Sequence, residues 1–327
     1  MVSNAEIRPF LPAQWCQWPV KPKTLPEAVL EPPRPSATAE PRYKVVAGTL
    51  CVRDTEPYRY VATIHTLNHG QVEAGLRPRY AYTEVDCLSP QALADYEHCL
   101  ANPVPRTAAE QVEEDSANRV RATRRARAEV RRRCKHQGLI EILTLTYREN
   151  QTDRDRMAHD LDLFLKRVRR VIPDFEYVCV FEKQTRGAWH AHLAVQRVLP
   201  YYWKGGAAKK LVKSFDLLRS MWRGVVGADN GNIDVSKRRK QRWSPSKIAG
   251  YISKYIGKSF GDNLKHENSY SASNGAVPDP VRYSFNTLDD GVAGLFALLS
   301  LELANADVHT QFFPDTSFWL GAAPRSG

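Results

Sequence analysis

Between residues 139 and 260 the apolar and polar positions switch repeatedly between a two-residue and a 3.6-residue period. Leu139 to Tyr147 (LIEILTLTY) is a β-branched and apolar run that predicts a strand. From about Asp153, Met157, Leu161, Phe164, Leu165, Val168 and Ile172 recur at helical spacing, so an amphipathic helix follows. FEYVCVFE (Phe175 to Glu182) and WHAHLAVQ (Trp189 to Gln196) flank KQTRGA, with Gly187 at the bend, and predict an antiparallel hairpin. A second amphipathic helix is expected through Leu211, Val212, Phe215, Leu218, Met221, Trp222 and Val225. GNIDVS then gives a short strand, and SPSKIAGYISKYIGKSF a third helix, with Ser244 able to cap it and Pro245 suited to its first position. The expected class is α+β: a central antiparallel β-sheet with flanking helices.

Outside this segment the pattern weakens. Residues 1–42 are proline-rich (VLEPPRPSATAEPR) and read as a tail or linker. Residues 43–105 hold strand-like runs and turn signals but no motif, and stay unassigned. Residues 106–138 read as an alanine-rich, charged helix whose second half carries eight arginines between 119 and 133. Residues 261–327 show no clear period and are expected to be a small helical appendage or a mobile tail.

Charge sharpens the picture. The 327 residues carry a formal net charge of +11, and the clustering of lysine and arginine favours a polyanionic partner, nucleic acid first. The six cysteines are scattered without a C-x-x-C pair, which fits a reducing cytoplasm and suggests neither a zinc knuckle nor a disulfide framework. No apolar stretch reaches the roughly 18 residues of a membrane span, so a cytoplasmic location is expected.

Two segments carry candidate chemistry. In RGAWHAHLAV, His190 and His192 lie one residue apart in a strand, so both imidazoles point to the same face and can share a metal ion. In the helix near 250, Tyr251, Lys254, Tyr255 and Lys258 fall within an arc of roughly 100°, while Ile248, Ala249, Ile252 and Ile256 occupy the adjacent arc and are expected to pack on the sheet. Tyrosines half-buried at a helix edge beside snorkelling lysines are a common structural arrangement. Together with the histidine pair, however, a specific chemistry makes sense: a phenolic oxygen attacks a phosphodiester while a metal polarises the phosphate. Tyrosine ionises near pH 10 in water, so a lysine one turn away can assist it.

LTLTY at 143–147, His190-Ala191-His192 and YISKYIGK at 251–258, in that order, resemble the three motifs of HUH-type rolling-circle replication initiators, the Rep endonucleases of single-stranded DNA phages and plasmids. The doubled tyrosine is similar to the two-tyrosine branch, which includes the gene A initiators of small icosahedral phages and filamentous-phage replication proteins. The resemblance covers residues 139–260 and implies a ferredoxin- or palm-like endonuclease domain there. It implies Tyr251 and Tyr255 as nucleophiles with Lys254 and Lys258 assisting, and His190, His192 and Glu182 as ligands of Mg²⁺ or Mn²⁺. Thr144 and Thr146 would support the site structurally. The implied reaction leaves a 5′-phosphotyrosyl link and a free 3′-OH on origin DNA.

Binding residues are expected in SKRRKQRW and just beyond it, at Arg238, Arg239, Lys240, Arg242, Trp243 and Lys247, and on the arginine-rich helix at Arg124, Arg125, Arg131 and Arg132. No G-x-x-x-x-G-K-[ST] motif is present, so a host helicase and a host DNA polymerase are expected partners besides single-stranded or extruded origin DNA. Two alternatives stay open: a transposase with the same chemistry, and a non-enzymatic basic regulator whose binding ignores metal.

Overall fold

A computed structural model of the chain describes residues 43–102, 107–204, 210–235, 244–258, 270–314 and 317–325. The proline-rich stretch at 1–42 lies outside the described residues. Thirteen strands and seven helices follow one another among the described residues: β1 (Tyr43–Val46), β2 (Thr49–Thr66), β3 (Val72–Cys87), α1 (Pro90–Ala101), α2 (Ala108–His136), β4 (Glu141–Tyr147), α3 (Arg154–Arg169), β5 (Tyr177–Lys183), β6 (Trp189–Val195), β7 (Tyr201–Lys204), β8 (Lys210–Lys213), α4 (Ser214–Val226), β9 (Gly231–Val235), α5 (Pro245–Lys258), β10 (Tyr270–Ala272), β11 (Val281–Phe285), α6 (Leu288–Leu298), α7 (Ser300–Leu303), β12 (Ala306–Phe312) and β13 (Phe318–Pro324). The class is α+β with antiparallel sheets, as the periodicity predicts.

The site-bearing sheet runs β10-β5-β6-β4-β9, antiparallel throughout. Its central strand β6 is buried at every position, because helices cover both faces. Leu143, Leu145, Cys179, Phe181, Ala191 and Leu193 pack against Met157, Leu161 and Phe164 of α3 and Leu218 and Trp222 of α4. Trp222 is fully buried, and its indole N–H donates to the Thr146 carbonyl at 3.0 Å. On the opposite face Ile142, Val178, Val180 and Ala194 meet Val130 and Cys134 of α2 and Ile248, Ala249, Ile252 and Ile256 of α5. Burial on both sides explains why WHAHLAV reads as nearly continuous apolar text rather than as a clean alternation.

Local signals place the helix starts. The Asp153 carboxylate accepts from the backbone N–H groups of Asp155 and Arg156 at 2.9 and 3.0 Å, and Thr107 and Glu110 form a reciprocal capping box on α2. Ser244 accepts from Lys247 N–H at 3.3 Å, capping α5. The helix expected to take in Leu211 and Val212 instead begins at Ser214. Those two residues lie in β8, paired with Trp203 and Tyr202, because a two-stranded ribbon satisfies their backbone groups.

The regions without a motif form a second sheet. Strands β1, β2, β3, β13 and β12 lie in that order, with β11 on β2, so residues 43–87 and 281–324 share one structure. Its core gathers Ala62, Ile64, Val72, Leu76, Leu320 and Leu295 of α6. Residues 270–325 are therefore strands and helices of both sheets, with β10 joining β5, in place of a helical appendage or tail. No described helix is long and apolar enough to cross a membrane.

α2 ties the two sheets together through its C-terminal turns. Arg131 makes a two-pronged contact with Glu73 of β3 at 2.7 and 2.9 Å, and Lys135 reaches the same carboxylate at 2.8 Å. Arg132 meets His65 at 2.7 Å. Glu73 and Lys135 are both nearly excluded from water, where a carboxylate survives only with paired cations.

Candidate active site

Strand geometry sets the histidines. His190 and His192 share the face of β6 that looks toward α5, and each is 7% exposed. Glu182 stands opposite His190 across the β5–β6 hairpin, and Thr144 opposite His192 on β4. Side chains at i and i+2 of neighbouring strands converge on one face, so His192 Nε2 reaches Glu182 Oε2 at 2.8 Å while its Nδ1 meets the Thr144 hydroxyl at 3.1 Å. A carboxylate only accepts, so His192 Nε2 carries the proton and Nδ1 takes the Thr144 hydroxyl.

His190 is placed differently. Its Nδ1 receives the Gln184 side-chain amide at 3.2 Å, and Arg186 donates to the oxygen of that same amide at 3.1 Å. Its Nε2 is buried with no hydrogen-bond partner. Burial, then the neighbouring His192 and Arg186, hold the His190 pKa below its ordinary value, which keeps the ring neutral and its lone pairs available. A shallow depression of about 540 Å³, lined by Glu182, Lys183, Gln184, Thr185 and Arg186, opens beside the β5–β6 turn.

The tyrosine helix lies across this face. Ile248, Ala249, Ile252 and Ile256 anchor α5 to the sheet, which leaves Tyr251 and Tyr255 half-buried at its edge and Lys254 and Lys247 exposed. The Tyr255 ring stacks on His192 with centroids 4.1 Å apart and planes inclined by 21°. Its hydroxyl donates to the Tyr251 oxygen at 2.6 Å. Burial first, and then that donated bond, push the Tyr255 pKa up. Tyr251 and Tyr255 meet edge to face, centroids 5.2 Å apart.

Tyr251, Tyr255, His190, His192 and Glu182 are therefore brought together. Lys258 closes α5, and its side chain lies outside the described residues, as do Arg238, Arg239, Lys240, Arg242 and Trp243. On α2, Arg124 and Arg125 are exposed, whereas Arg131 and Arg132 turn to Glu73 and His65 and present no free guanidinium for phosphate. Sequence reasoning missed Gln184, although its parity with Glu182 along the hairpin was a usable signal. It also missed Asp234, which the register sets opposite Thr144 on β9 and so on the histidine face of the sheet.

Two imidazoles, a carboxylate and one unpartnered buried ring nitrogen form a donor set suited to Mg²⁺ or Mn²⁺. The set is not converged: among the described residues no three such side chains are gathered around a common point, and Glu182 bonds His192 directly. A cation held here would take the place of that bond.

No curated protein and no solved structure matches the chain. Residues 141–260, just over a third of it, match the family model of the replication-associated proteins of the ORF2 and gene-2-protein type, and the match supports a rolling-circle replication initiator family and a role in DNA replication.

Proposed function

We propose that the chain is a metal-dependent nicking and joining enzyme that starts rolling-circle replication. The observation that carries this reading is the Tyr251 and Tyr255 pair held against the His190, His192 and Glu182 face of the sheet. Two phenols four residues apart on one helix, next to imidazoles that are buried and neutral, are a costly arrangement for a purely structural purpose.

In the proposed reaction a tyrosine oxygen forms a bond to phosphorus and the bond from phosphorus to the 3′-oxygen breaks. The strand is left with a 5′-phosphotyrosyl link, and the 3′-oxygen takes up a proton. The bond exchanged is kept as an ester, so a second tyrosine can cut the regenerated origin and the freed 3′-OH can reverse the first link. A divalent ion held by His190, His192 and Glu182 would neutralise charge on the phosphate oxygens. Tyr255 holds its proton on the Tyr251 oxygen, which favours ionisation of Tyr251. Exposed Lys254 stands beside the pair to meet the phosphate, and Arg124, Arg125 and Lys247 offer contacts to the DNA backbone.

The test is incubation with labelled single-stranded DNA from the protein's own replicon and Mn²⁺, followed by denaturing electrophoresis. A metal-dependent, detergent-resistant adduct is expected from the wild type and from neither His190→Ala plus His192→Ala nor Tyr251→Phe plus Tyr255→Phe. Binding without cleavage or adduct across origin-containing DNA would overturn the enzymatic reading.

A further inference from the structure

We infer that the β7–β8 hairpin is a base-stacking platform for single-stranded DNA. The inference rests on the reading that the chain acts on single-stranded DNA, but not on the nicking chemistry.

The ribbon has two unlike faces. Cross-strand partners share a face, and the pairs are Tyr201 with Lys213, Tyr202 with Val212 and Trp203 with Leu211. Tyr202 packs against the core formed by α3, α4 and the site-bearing sheet, and its hydroxyl oxygen accepts from Leu199 N–H at 3.0 Å. Ser214 N–H donates to the Pro200 carbonyl at 3.0 Å, fastening the end of the ribbon to the start of α4. One face is thus docked.

The opposite face carries Tyr201, Trp203, Leu211 and Lys213. Trp203 is 63% exposed, and Tyr201 and Leu211 are each 49% exposed. A tryptophan left this open forgoes the burial that normally justifies its size. Leu199, 57% exposed, extends the same apolar surface at the hairpin's base.

Charge decides what covers this surface. From Arg197 to Phe215 the sequence holds Arg197, Lys204, Lys209, Lys210 and Lys213 and no Asp or Glu. A second copy of the hairpin would bring like charges together, whereas a polyanion with flat rings satisfies both the lysines and the aromatics. Tyr201 and Trp203 sit two residues apart on one strand, about 7 Å along it, so each can take one base of an unpaired strand while the lysines track phosphates. Duplex DNA hides its bases and offers the rings nothing to stack on.

The test is fluorescence anisotropy of a labelled oligo-dT with full-length protein carrying Tyr251→Phe and Tyr255→Phe, in chelator, so that no cleavage occurs. Trp203→Ala is expected to weaken binding about tenfold to a hundredfold with an unchanged melting temperature. Trp203→Phe should retain most of the affinity, and duplex binding should not change with either substitution. Lys210→Gln plus Lys213→Gln should reduce the salt dependence of log K by about 0.7 for each phosphate that the lysines neutralise. Unchanged oligo-dT affinity in Trp203→Ala and in Tyr201→Ala would overturn the inference. So would loss of self-association, or of binding to anionic vesicles, with oligo-dT affinity intact. If wild-type protein forms no adduct but Trp203→Ala still weakens oligo-dT binding, the nicking reading fails and the platform stands; adduct formation with unaffected oligo-dT binding has the reverse meaning.

Discussion

Tyr255 lies almost parallel to His192, ring centroids 4.1 Å apart, while its hydroxyl donates to Tyr251 at 2.6 Å. One side chain thus links the histidine face of β6 to the other tyrosine of α5. A hydrogen bond to a charged oxygen contributes about 1.5–3 kcal/mol, so Tyr255→Phe should slow adduct formation by Tyr251 about tenfold or more. Rapid-quench electrophoresis of single-turnover reactions measures this, and an unchanged rate would show that Tyr255 does not assist Tyr251.

Glu182 holds His192 at 2.8 Å. Replacing the carboxylate by an amide removes a negative oxygen from the donor set, so Glu182→Gln should weaken Mn²⁺ binding at least tenfold. Calorimetric titration of the metal into protein without DNA reads this directly, apart from any nicking assay. Equal affinity in the variant would remove Glu182 from the ligand set.

The pairing of Glu73 with Arg131 and Lys135 makes stability depend on acid. Burial alone would raise the Glu73 pKa, but the Arg131 hydrogen bond and charge, followed by Lys135, outweigh it and hold the value below the ordinary carboxylate range. Near pH 4 the unfolded chain therefore binds more protons than the folded one, and stability rises with pH there. The contribution is complete above the unfolded pKa of about 4.3 and is lost as pH falls through the lower folded value. Urea titrations between pH 3 and 6 should show this slope, and Glu73→Gln should flatten it. Because the substitution leaves Lys135 buried without its carboxylate, it should also cost about 3–5 kcal/mol near neutral pH.

The arginines of α2 should divide by their surroundings. Arg124→Ala plus Arg125→Ala removes two exposed charges and is expected to lower the salt dependence of single-strand binding by about 0.7 for each phosphate they neutralise, with little change in melting temperature. Arg131→Ala, which takes both prongs from Glu73, should lower the melting temperature by several degrees and leave the salt slope unchanged. The opposite pattern in either variant would reverse the assignment of these residues.

Much of the site-bearing half was legible because its signals are local. Asp153 capping α3, Ser244 capping α5, the β5–β6 hairpin and the apolar stripe Ile248, Ala249, Ile252 and Ile256 each follow from residues a few positions apart. Leu211 and Val212 misled because an apolar pair fits a short strand as well as a helix turn. The roles of Arg131 and Arg132 were illegible for another reason: nothing near them in sequence announces a buried carboxylate on β3.

By itself, the sequence determined that His190 and His192 share one strand face, that Tyr251 and Tyr255 share one helix edge, and that the surface is strongly basic. These follow from fixed periods of about 2 and 3.6 residues and from formal charge. Only the tertiary structure decided that α5 lies across β6, so that Tyr255 stacks on His192. Only it showed that β3 pairs with β13, and β2 with β11, into a sheet gathered from both ends of the described chain. Partners so distant leave no mark in any short window. Their pairing is selected by how all the apolar faces can be buried at once.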